Sequence, residues 1–209
     1  MSNPPEARSV KIGHDERTGW SSDRPRRDGA PPRPASLAVR GRVLAPSDRL
    51  RYTPGSLVLV ASPDAEAAER FMTGVLEDRS ALLSAAKVRR LLSGRVAEDE
   101  LESRVGEVLD SAVQKRLDGG EAVVLIMEGF AASDRERWVR AAAGLRRPRH
   151  LVLLDGSAGE EARSALGDLR RVLMAGGLGE DGFHTAIRLG GSSATELNRI
   201  VFRSPPRDE

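Results

Sequence analysis

Three carboxylates cluster where a short apolar run gives way to an amphipathic one. Leu57-Val58-Leu59-Val60-Ala61 is followed by Ser62-Pro63-Asp64-Ala65-Glu66-Ala67-Ala68-Glu69. Oxygens from Asp64, Glu66 and Glu69 are hard donors of the kind that hold a divalent cation. The same residues also make an ordinary helix start, because Asp is a favoured N-cap and first-turn acids suit the positive end of the helix dipole. The helix-start reading is preferred, and no metal is expected here. Two further carboxylates, Glu128 and Asp155, end the apolar runs Ala122–Met127 and Leu151–Leu154. Each could face a cleft, or simply be a solvated strand end. Arg89 could hold a phosphate or a nucleic-acid backbone, or take part in a surface ion pair. His14, His150 and His184 are not spaced as metal ligands, and the chain has no cysteine. That removes thiolate nucleophiles, disulfides and cysteine metal sites together.

The elements that position these residues follow from periodicity. Five short apolar runs read as strands, at about 57–61, 81–84, 122–127, 150–154 and 185–189. Helical stretches alternate with them. The clearest runs from Glu98 to Asp118, with Leu101, Val105, Val108, Leu109, Ala112, Val113 and Leu117 at helical spacing and Gly119-Gly120 as its stop. Ser133 with Glu136 has capping-box spacing ahead of Trp138 and Val139. A helix from about Gly159 to Ala175 should end at Gly176-Gly177. Strands alternating with helices imply parallel pairing through crossovers, hence an α/β domain with helices on both faces of the sheet. In such sheets ligands bind at the carboxyl ends of the strands.

Composition bounds the rest. The 209 residues fit one domain with a tail, and 39 % hydrophobic content can build a core. Lys+Arg 33 against Asp+Glu 31 leave a net charge of +2, too little for the dense basic surface that nucleic-acid binding usually needs. Residues 1–49 read as a disordered Pro/Arg-rich tail. Half of the 12 prolines lie between Pro4 and Pro34, and few large apolar residues accompany them. Trp20 could mark a docking segment within that tail. The domain is expected over residues 50–209. The longest aliphatic run, Ala122–Met127, is far short of the roughly twenty residues of a membrane span. No apolar leader is visible, so a cytoplasmic location is expected.

The strand, turn and helix over Leu57–Leu76 occupy the place of a phosphate-binding loop, G-x-x-x-x-G-K-[ST]. Over residues 57–189 the chain resembles the kinase module of the polynucleotide kinase family, within the P-loop kinases. Ser84-Ala85-Ala86-Lys87-Val88-Arg89-Arg90-Leu91-Leu92-Ser93-Gly94 is similar to that family's S-S-D-x-x-R-x-L-L-x-G segment. Val123 to Arg135 is similar to its V-V-V-D-A-T-N strand and the D-R that follows. Leu169-Arg170-Arg171 with Gly182-Phe183 resembles its late L-R…E-G-F stretch. The resemblance implies a three-layer P-loop NTPase-like sheet of five parallel strands in the order 2-3-1-4-5.

The departures weigh more than the matches. Against the loop pattern, the chain has Ala61, Asp64 and Glu66 for the glycines, Ala67 for the lysine and Ala68 for the hydroxyl. Ser62, Pro63 and Ala65 fill the rest of this vestigial loop. Ala86 stands at the family's general base, Ile126 at its strand-three Asp, and Gly129 at its Asn. Residues 155–161 are too few for an arginine-bearing lid. Of the matched functional positions only Arg89 survives. Phosphoryl transfer depends on positioning and charge neutralisation, so the expectation is a noncatalytic kinase-like protein with an interaction or regulatory role and an unidentified protein partner. No catalytic residue and no cofactor is assigned. Two alternatives stay open. One is an ATP- and magnesium-dependent phosphotransferase using an altered loop around Arg89, Glu128 and Asp155. The other is a nucleic-acid accessory protein using Arg89, Arg90 and the tail.

Overall fold

The computed structural model describes residues 48–156, 159–175 and 182–204. Residues 1–47 of the expected tail, including Trp20, and the Gly176-Gly177 stop lie outside the described residues, while Arg49, placed at the end of that tail, opens the first strand. The elements run β1 (Arg49–Tyr52), β2 (Leu57–Ala61), α1 (Ala65–Val75), β3 (Leu82–Ser84), α2 (Ala85–Leu92), α3 (Glu98–Asp118), β4 (Val123–Ile126), α4 (Ala132–Gly144), β5 (Arg149–Leu154), α5 (Glu160–Met174), β6 (Thr185–Leu189), α6 (Ser192–Glu196) and β7 (Arg199–Phe202). The domain is α/β, built on an all-parallel sheet of five strands with helices packed against it.

The central strand is β2, hydrogen-bonded to β4 on one side and β5 on the other; β3 and β6 form the edges. Two strands were not expected. Arg49–Tyr52 and Arg199–Phe202 pair with each other in a separate parallel two-stranded ladder. Counted with them, the sheet order is β3-β4-β2-β5-β6 in place of the expected 2-3-1-4-5, because β1 takes the first number while standing outside the sheet. In residue ranges, that order is 82–84, 123–126, 57–61, 149–154 and 185–189.

Every residue of β2, β4 and β5 is buried, as expected of parallel strands covered on both faces. Alternation sends their side chains into two cores. Leu57, Leu59, Leu125, Leu151 and Leu153 face α2, α3, α4 and α5, meeting Val88, Leu109, Val113, Trp138 and Leu169. Val58, Val60, Val124, Ile126 and Val152 face the other way, meeting Ala68 and Met72 of α1 together with Leu50, Tyr52 and Ile200 of the small ladder. The ladder thus completes a face that α1 alone would leave open. Its junction with α1 is sealed where Leu76 bridges Ile200 and Glu77 N donates to Ile200 O at 3.1 Å.

Two local expectations need correction. Residues 79–81 form a 3-10 turn capped by Asp78, so the second sheet strand begins at Leu82 instead of 81. Helix α4 is not capped by Ser133. Ser133 already lies within its first turn, and the Asp134 carboxylate accepts the Ala131 N–H at 3.0 Å instead.

Candidate functional site

All five sheet strands are parallel, so their carboxyl ends lie along one edge of the sheet. That edge gathers Ser62 and Asp64 after β2, Ser84 at the end of β3, Glu128 after β4 and Asp155 after β5. The segment from β2 to α1 is only Ser62-Pro63-Asp64. Pro63 offers no N–H. The Asp64 N–H is directed to Ser62 Oγ at 3.3 Å, and Asp64 Oδ1 accepts the Ala67 N–H at 2.8 Å as the N-cap of α1. Gly156, following β5, closes on this turn. A Cβ there would stand 3.4 Å from Ser62 Oγ and 3.5 Å from Asp64 Cβ. The turn is therefore tight and internally bonded, and protein atoms fill the space beside it. A ligand anion at this helix start would have to displace the Asp64 carboxylate and approach a second acid, Glu66, in the first turn.

Glu66 is exposed and faces Arg70 one turn on, at 3.8 Å. Glu69 points elsewhere. Its Oε2 accepts the Ser84 hydroxyl at 2.6 Å, and its Oε1 accepts Arg90 Nη2 at 2.6 Å. Burial pushes the Glu69 carboxyl up, but hydrogen bonds from Ser84 and Arg90, with the charges of Arg90 and Lys87, outweigh it and hold the group below the usual carboxylate range. The three acids at this helix start are thus divided among three tasks and do not converge on one point. Among the described residues, no group of three or more His, Asp or Glu is placed to hold a metal ion.

Arg89 and Glu128 are brought together. Arg89 lies between two carboxylates, donating Nε and Nη2 to the two oxygens of Glu102 at 2.6 and 2.7 Å and Nη1 to Glu128 Oε1 at 3.3 Å. The Glu102 hydrogen bonds, opposed by burial and helped by Glu128, raise the Arg89 pKa further. Glu102 is held below its ordinary value chiefly by the same hydrogen bonds. Asp155 is separate from this pair. It takes Arg188 Nε and Nη2 at 3.0 and 2.6 Å. Arg89, Glu128 and Asp155 each therefore have an opposite charge from the same chain, while Asp64 is engaged by the Ala67 N–H.

Sequence reasoning missed Glu102, Arg188 and Ser84 as partners. Ser84 had a local signal, since a Ser before a helical run is a cap, and here Ser84 Oγ accepts the Lys87 N–H at 3.0 Å while donating to Glu69. Glu102 and Arg188 had none. A 410 Å³ cavity opens at the carboxyl end of β4, lined by Met127, Glu128, Ser133, Asp134, Arg137 and Trp138 among others. Among the described residues no helix is long and apolar enough to cross a membrane. A scan of protein-family models finds no match to the chain, and no curated protein matches it significantly.

Proposed function

We propose that the chain is a degenerate P-loop-kinase-like domain that has given up nucleotide chemistry and serves as an interaction or regulatory protein. The observation that carries this reading is the closed turn after β2. Three residues replace a phosphate-wrapping loop, and the turn's own Ser62 and Asp64 occupy the amides of Asp64 and Ala67. The central place of β2, paired in parallel with both β4 and β5, supports the kinase-like part of the reading. The pairing of Arg89 with Glu102 and Glu128, and of Asp155 with Arg188, supports the noncatalytic part. A phosphotransferase built on Arg89 and Glu128 would first have to break that pair. A nucleic-acid reader built on Arg90 would have to release Glu69.

Calorimetric titration with Mg-ATP tests the proposal. Micromolar affinity is worth about 8 kcal/mol, which a site without lysine, magnesium hydroxyl or free loop amides should not reach. No saturable heat below millimolar nucleotide is expected. A single saturable site in the micromolar range, weakened by Arg89→Ala or Glu128→Ala, would overturn the reading in favour of the altered-loop enzyme. Binding to polynucleotide ends that weakens with salt would favour the accessory role instead.

A further inference from the structure

The outer face of the β1–β7 ladder carries cations that the fold leaves unpaired. Along β1 the residues alternate, with Leu50 and Tyr52 buried in the core and Arg49 and Arg51 exposed. Across the ladder Arg49 stands directly beside Arg199. Like charges side by side on one face of a ladder cost stability. Arg199 and Arg203 share one acid, Glu77, at 3.9 and 2.5 Å. Among the described residues, Arg49 and Arg51 have no ion pair and no side-chain hydrogen bond.

The backbone beside these two arginines is open as well. Arg203 N donates to Tyr52 O at 2.9 Å, which turns the peptide groups of Leu50 and Tyr52 towards β7. In a parallel ladder those of the alternate residues, Arg49 and Arg51, then point to the opposite edge. No strand lies along that edge among the described residues, whereas the far edge of β7 meets Leu76 at its bridge with Ile200. An open edge accepts an extended segment as a further strand. Here the arginines decide which segment. A second copy of β1 would set arginine beside arginine and be repelled. A strand with acids at alternate positions, about 6.6 Å apart, places a carboxylate beside each of Arg49 and Arg51. Its intervening residues lie on the core side, next to Leu50 and Tyr52, and suit apolar side chains.

We propose that the free edge of β1 is a docking site for an extended segment of a partner protein that alternates acidic and apolar residues and adds to the ladder as a third strand. The inference does not rest on the noncatalytic reading. Mg-ATP titration probes the turn after β2, so either can fail alone.

The probe is fluorescein-labelled Glu-Val-Glu-Val-Glu-amide, titrated with the full chain and followed by anisotropy. Saturable binding is expected. Gln-Val-Gln-Val-Gln should bind more weakly, and Arg49→Gln and Arg51→Gln should each weaken the acidic peptide about two- to fivefold. The fully N-methylated acidic peptide keeps the charge but has no N–H for the edge, and should lose about tenfold. The double variant Arg49→Glu with Arg51→Glu should reverse the preference in favour of Lys-Val-Lys-Val-Lys. Equal affinity for the N-methylated peptide, or affinity unchanged by the two glutamine substitutions together, would place the binding on general charge and overturn the edge site. Absence of saturable binding would overturn it too, leaving the arginines as guards against edge pairing. Binding of an oligothymidylate without binding of the acidic peptide would overturn it in favour of a nucleic-acid face.

Discussion

The Asp155 side chain lies directly against the backbone of Gly190. A Cβ built on Gly190 would stand 2.8 Å from Asp155 Cγ and 3.0 Å from its Cβ, inside van der Waals contact. The same carboxylate receives two nitrogens of Arg188, and the Asp155 N–H donates to Leu189 O at 2.8 Å. The glycine after β6 is thus what lets the acid after β5 lie across the sheet edge and reach its arginine.

Gly190→Ala should therefore destabilise the fold by about 1–3 kcal/mol, as overpacking does. The cost should shrink when Asp155 is also cut to Ala, because the methyl then has room. Urea midpoints of the two single variants, the double variant and the parent would give a non-additive cycle. Strict additivity would show that the methyl meets something other than Asp155.

Ser84 has two tasks, capping α2 and donating to Glu69. Ser84→Ala should cost about 1–2 kcal/mol, the upper range for a cap, since it also leaves the buried side of Glu69 with one hydrogen bond fewer. Arg90→Ala should cost less, because Arg90 is 62 % exposed and its ion pair is screened. The reverse ranking in urea denaturation would contradict the assignment of Ser84 as the pivot.

His150 gives the fold an acid-sensitive point. It is buried against the Tyr52 ring, with centroids 4.5 Å apart, and its Nδ1 bonds Thr185 Oγ1 at 2.8 Å. Burial first, and then the charges of His184 and Arg149, lower its pKa to about 4. An unfolded chain would protonate His150 near pH 6.5. As pH falls, the unfolded state takes up the proton first, so stability is whole above about 6.5 and drains away towards 4. The loss should approach ~3 kcal/mol. His150→Phe should lower stability at pH 7 but flatten its fall between pH 6.5 and 4.5. A slope unchanged by the substitution would place the acid sensitivity elsewhere.

Restoring the missing lysine should not restore nucleotide binding. In Ala67→Lys the Ala67 amide would still be held by Asp64, and Ala68, Ala86 and Ile126 would still lack the polar groups of an active kinase. Calorimetry on this variant should show no Mg-ATP site tighter than millimolar. A micromolar site would mean that the turn after β2 opens more readily than its hydrogen bonds suggest.

The sheet was legible because β2 and β4 are apolar at every position and β5 at its last four, so they need no alternation to be recognised. The small ladder was not. Arg49-Leu50-Arg51-Tyr52 is half charged, and its partner Arg199–Phe202 lies far along the chain. Two parallel strands so distant share no turn that could betray them. The Asp64 cap was readable for the same reason that Ser84 should have been, since both precede a helix by one residue. The charge pairs at the cleft edge were not. Glu102 is 13 residues from Arg89, Glu128 is 39, and Arg188 is 33 from Asp155. Only the fold makes them neighbours.

The β1–β7 ladder also decides how the domain would respond to force. Its strands run parallel, with Arg49 beside Arg199 and Tyr52 beside Phe202. Tension entering ahead of Arg49 and leaving beyond Phe202 would act on opposite ends of the ladder, sliding one strand along the other. Its hydrogen bonds would then share the load and fail together, where an antiparallel pair pulled at one end would unzip one bond at a time. With Arg203 bonded to the Tyr52 carbonyl and ion-paired to Glu77 at that end, the first and last strands of the described residues form a shear clamp.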